Sequence, residues 1–71
     1  MPEPITADVG ASVWKILASV GDIVDDGGVV MILESMKMEI PVICEGGRTI
    51  ASIDVAEAQT VAAGQLLATV D

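Results

Sequence analysis

Histidine, phenylalanine and tyrosine are missing from this sequence, and cysteine and tryptophan occur once each. Without histidine, Ser-His-Asp machinery and imidazole metal sites are excluded. The single thiol, Cys44, can make neither an internal disulfide nor a cysteine-rich zinc site. A small chain with no staple suits a reducing compartment, so a cytoplasmic location is expected. Positive charge is nearly as scarce: Lys15, Lys37 and Arg48 stand against 11 acidic residues, for a formal net charge of −8. That balance argues against nucleic acid and against anionic membrane, since both select basic patches. The opening "MPEPITAD" has neither a basic segment nor an apolar one, so no signal peptide is expected. No apolar run approaches the roughly 18 residues that would suggest a membrane span. Asp22, Asp25 and Asp26 in "DIVDDGG" lack the alternating pattern of a calcium loop and read as a solvated turn. No catalytic set and no metal site is expected.

Hydrophobic residues make up 52% of the chain, which is more than a disordered segment carries. They are mainly Val, Ile, Leu and Ala. Seven glycines and three prolines punctuate them. β-branched residues in short runs between turn residues predict an all-β fold. At 71 residues the chain is expected to form one domain, residues 1–71, with a radius of gyration of about 11 Å.

An internal repeat supports this. "VWKILASVGDIVDDGGVVMILE" from Val13 aligns without gaps with "IASIDVAEAQTVAAGQLLATVD" from Ile50, an offset of 37 residues. Apolar positions coincide, as do Gly27 and Gly64. Two such halves, neither able to bury its own apolar face, predict a two-sheet sandwich or flattened barrel. The spacing of three in Val13/Ile16 and Ile50/Ile53 breaks strict alternation and predicts a β-bulge in each half. The expected strands are 4–7, 12–18, 22–24, 29–35, 38–44, 48–55, 59–61 and 66–70.

The segment "ESMKME", residues 34–39, follows an apolar run. Pairing 29–35 with 38–44 across a two-residue turn, Met36-Lys37, makes opposed residues sum to 73. Val29, Met31, Leu33, Ile40, Val42 and Cys44 then share an apolar inner face. Val30, Ile32, Glu34, Glu39, Pro41 and Ile43 face outward. Lys37 lands at the apex. Two-residue hairpins ordinarily carry Asn-Gly or Asp-Gly, because their central residues need positive φ. Met-Lys breaks that rule, which points to a retained function. A lone turn lysine is most often a solvated charge, and flanking methionines are most often gap filler. The combination of exposed Lys, paired Met and surrounding repeat favours a functional reading. Trp14 reads as a packed or half-exposed strand residue.

"ESMKMEIP" resembles the attachment motif of the biotinyl domains of biotin-dependent carboxylases, usually Glu-Ala-Met-Lys-Met, and the resemblance covers residues 10 to 70. It implies two four-stranded antiparallel sheets with pseudo-twofold symmetry. It also implies biotin in amide linkage to Lys37, with Glu34, Met36 and Met38 read by a biotin protein ligase that supplies biotinyl-AMP. The partners implied are that ligase and the biotin carboxylase and carboxyltransferase that a carrier serves; the domain itself would make no bonds. Ser35 replaces the usual Ala. Ala11 and Arg48 stand where the family has glycine, and Ala58-Gln59 where Gly-Asp is common. No inserted segment provides the protruding thumb of some members. Two alternatives remain. A lipoyl carrier typically flanks its lysine with Asp and Ala, so Met36 and Met38 argue for biotin. A non-carrier interaction module of similar fold would lack the Met-Lys-Met turn.

Overall fold

The computed structural model describes residues 2–71. Eight strands form: β1 (Glu3–Thr6), β2 (Ala11–Ile16), β3 (Ile23–Val24), β4 (Val29–Ser35), β5 (Met38–Ile43), β6 (Arg48–Ile53), β7 (Thr60–Val61) and β8 (Leu66–Val70). They build two four-stranded antiparallel sheets, ordered β1-β8-β6-β3 and β5-β4-β2-β7. Among the described residues no helix is long and apolar enough to cross a membrane. The radius of gyration is 11.1 Å and the shape is elongated, 32 × 17 × 17 Å.

The offset of 37 residues organises the whole structure. It carries β2 onto β6, β3 onto β7 and β4 onto β8, and each sheet repeats the other's order. Of the 15 buried apolar residues among those described, 14 fall into seven pairs at this offset: 7/44, 13/50, 18/55, 24/61, 30/67, 31/68 and 33/70. Ala11 is left over, because its counterpart is the half-buried Arg48. The repeat also extends beyond the segment readable by alignment. Pro4, Ile5 and Ala7 correspond to Pro41, Val42 and Cys44, so β1 is the counterpart of β5. Both prolines sit on edge strands, where a missing N–H costs no ladder bond.

The halves are stitched through each other. β3 of the first half pairs with β6 of the second, and β7 of the second with β2 of the first. The turns repeat the exchange: Gly21 N–H donates to Ile50 O at 2.8 Å, and Ala58 N–H to Val13 O at 2.7 Å. Each half thus completes the other's sheet.

The two bulges expected near Val13 and Ile50 are present. The register shifts across Trp14 in β2 and across Ala51 in β6. A second pair was not foreseen: the register also shifts at Val30 in β4 and Leu67 in β8. This corrects the expected faces of β4. The sum of 73 holds from Ser35↔Met38 to Met31↔Val42, but Val29 pairs with Ile43. Val30 is therefore fully buried beside Met31, while Val29 is 37% exposed. A bulge places two successive side chains on one face. In β8 the same device buries both Leu67 and Ala68.

Candidate functional site at the lysine hairpin

The β4–β5 hairpin is a hydrophobic ladder with a polar tip. Leu33↔Ile40 and Met31↔Val42 anchor it from below, and Leu33 and Met31 are buried. Towards the tip, Glu34 stands opposite Glu39 and Ser35 opposite Met38. Ser35 Oγ donates to the carbonyl of Gly10 at 3.1 Å, tying the base of the tip to the β1–β2 loop. Alanine, usual at this place in the motif, could not make that bond.

At the tip, Met36 has φ 52° and Lys37 φ 64°. Both are left-handed, as a type I′ turn demands. For residues with a Cβ this costs about 1–2 kcal/mol each. The strain persists because the paired strands below over-determine the turn. Met36 is 91% and Met38 63% exposed. Two long apolar side chains thus flank an exposed ammonium in open solvent, where neither can serve as core. Glu34, Met36, Lys37 and Met38 are brought together by adjacency along one hairpin. The residues that pack against or bond to the hairpin's base from elsewhere were not foreseen, Gly10 among them.

The tip lies far from the chain ends. Glu3 and Val70, paired at the ends of β1 and β8, lie with Ile43, Cys44 and Glu45 at the opposite end of β5 from Met38. Lys15, the other lysine, is exposed in β2, its ammonium 6.0 Å from the Trp14 ring centroid. It sits on a hydrogen-bonded strand and reaches no apex.

The departures from the family motif are absorbed locally. Asp22 caps its turn by accepting the Ser19 N–H at 2.9 Å, and Gln59 does the same for the Ala56 N–H at 3.0 Å. Ala58, the counterpart of Gly21, holds φ 71° despite its Cβ. Arg48 pairs with Glu3 at 3.1 Å. Asp26 accepts the Gly46 N–H at 2.7 Å, so two of the three clustered aspartates work as turn caps.

Paired four-stranded sheets with an exposed lysine on one hairpin define a carrier domain of the biotin/lipoyl attachment class. A model of the family described as "Biotin-requiring enzyme" matches residues 1–70, and the chain belongs to that family as a biotin carrier domain with biotin as its cofactor. It is 37% identical over 70 residues to the "Biotinylated protein TB7.3 homolog" of Mycobacterium leprae, spanning 99% of both chains. It is 39% identical to the "Biotin carboxyl carrier protein" of Streptococcus mutans, spanning 99% of this chain and 51% of that one. Among solved structures, the urea carboxylase of Kluyveromyces lactis contains a match to the whole chain, with a TM-score of 0.92 and 31% identity, over 6% of its own length.

Proposed function

We propose that residues 1–71 act as one attachment domain, biotinylated on Lys37, with Glu34, Met36 and Met38 as the surface a biotin protein ligase reads. The observation that carries this reading is the pair of left-handed, non-glycine residues at the tip of a well-paired hairpin. Side chains are retained there against a steric cost.

Lysine suits a permanent tether. Its unprotonated Nζ attacks the acyl carbon of biotinyl-AMP; a C–N amide bond forms, the acyl–phosphate C–O bond breaks, AMP leaves and one amine proton is released. Arginine could not react this way, since its guanidinium stays protonated. Bound biotin supplies a ureido nitrogen that carries a carboxyl group. The rest is the chain's own work. The rigid hairpin holds the arm clear of the body, and the tether raises local concentration at both sites it visits. Losing one positive charge takes the formal net charge from −8 to −9. The partners proposed are the ligase, a biotin carboxylase and a carboxyltransferase, in the cytoplasm.

The test is intact mass after incubation with biotin ligase, ATP and biotin, with a parallel arm using lipoate and its ligase. One biotinyl adduct is expected. Lys37→Arg should abolish it, and Lys15→Arg should retain it. A lipoyl adduct alone, or labelling that survives Lys37→Arg, overturns the assignment.

A further inference from the structure

Trp14 is a large aromatic residue left 45% exposed at a bulge on the strand next to the lysine hairpin. It lines an open groove of about 470 Å³ together with Ser12, Val13, Glu34, Glu57 and Ala58. That volume falls within the roughly 300–1,000 Å³ of small-molecule sites. The groove combines an apolar wall with carboxylates. Glu57 uses one oxygen, Oε2, to accept the Ile16 N–H at 3.0 Å, which fixes the side chain and leaves its second oxygen available. Glu34 makes no side-chain hydrogen bond or ion pair among the described residues. Its position three residues before Lys37 joins the groove to the tip.

We propose that this groove is a resting site for the ring system of the biotin attached to Lys37. The proposal rests on the assignment of Lys37 given above. Its chemistry is complementary at both ends: the bicycle offers an apolar surface to the indole, and the two ureido N–H groups are donors for Glu34 and Glu57. The reach also matches. Leu33 pairs with Val13, and Lys37 lies four residues beyond Leu33. Ser35 ends the strand two residues beyond Leu33, roughly 7 Å at about 3.3 Å per residue, and the two-residue turn keeps the whole span below about 13 Å. The biotinyl-lysine arm has eleven bonds from Cα to the ring, and at about 1.2 Å per bond it extends roughly 13 Å. Lys15, which rests over the indole, is not among the groove's lining residues. The exposed bulge at Trp14 has an apolar counterpart at Ala51 that carries no aromatic ring, so the groove is confined to the half that bears the lysine.

Trp14 is the sole aromatic residue, so it reports without interference. The experiment compares the unmodified chain with the same chain biotinylated by ligase. Mass spectrometry first establishes one biotinyl group and its loss in Lys37→Arg. Tryptophan emission and acrylamide quenching are then measured, followed by proton NMR of the indole. With half of the molecules docked, the quenching constant falls about two-fold. Emission moves to shorter wavelength, and Overhauser effects connect indole protons to bicycle protons. A chain that takes no biotin sinks the Lys37 assignment. A chain that carries biotin on Lys37 but shows unchanged quenching and no indole–bicycle contacts sinks the resting site alone.

Discussion

Met36 and Lys37 hold backbone angles that glycine or asparagine would adopt with less strain. Because Met36 is 91% exposed, its replacement by glycine loses almost no buried surface. Met36→Gly should therefore stabilise the fold by about 1 kcal/mol, raising the melting temperature by roughly 4–8 °C. The same variant should be labelled by the ligase about tenfold more slowly if some 1.4 kcal/mol of recognition is lost. Thermal melts set beside single-turnover labelling separate the two effects; equal labelling would remove Met36 from the recognition surface. Ala58 gives a control outside the residues proposed for ligase recognition. It holds φ 71° where Gly21 stands in the other half, so Ala58→Gly should gain roughly 0.5–1 kcal/mol and leave labelling unchanged. A drop in its melting temperature would show that the Cβ at Ala58 contributes more than the strain it creates.

At the scale of the element, the bulges decide which side chains the core receives. Val29 and Val30 are chemically identical neighbours, and only the register shift in β4 distinguishes them. Val30→Asp places an unpaired charge at a fully buried site and should cost at least 3 kcal/mol, enough to unfold much of a domain this small. Val29→Asp should cost under about 1 kcal/mol, because its side chain is already partly solvated. Circular dichroism melts of the two variants check this. The opposite ranking would restore strict alternation through β4. The turn between β3 and β4 is similarly exacting. A Cβ on Gly28 would lie 2.6 Å from Val24 Cγ1 and 2.9 Å from the Asp25 carbonyl oxygen. The second contact is with backbone, which cannot rotate away, so Gly28→Ala should destabilise by about 1–3 kcal/mol in the same melts.

For the whole molecule, the exchange of β3 and β7 between the halves makes stability a property of the intact chain. Peptides 1–36 and 37–71 should each lack β structure alone, since each supplies only two of the four strands of either sheet. Mixed, they have every strand of both sheets available, and recovery of the native spectrum on mixing is the expected result. The formal charge of −8 acts at the same scale. Self-repulsion at that charge should be screened by salt, so the melting temperature should rise between 0.01 M and about 0.2 M sodium chloride. The Arg48–Glu3 pair opposes this trend only weakly, because its side chains are 28% and 61% exposed and such pairs contribute about 0–1 kcal/mol. A fall in melting temperature with salt would mean that paired charges outweigh the net repulsion.

Composition and spacing alone determined the all-β class, the strand positions to within a residue or two, the first pair of bulges and the lysine-tipped hairpin. Those features are local: they follow from β-branched runs, from apolar spacing and from a turn two residues long. The buried placement of Val30 was not legible, because a bulge within an unbroken apolar run leaves no polar residue to mark the change of face. Nor was the kinship of β1 and β5: four residues such as Pro4 to Ala7 are too few to carry a repeat signal, and the two strands correspond only as edges of equivalent sheets. The Ser35–Gly10 bond and the groove of Trp14, Glu34 and Glu57 were decided by tertiary structure alone. Their members lie 20 or more residues apart, on strands that pair only because each half of the repeat completes the other.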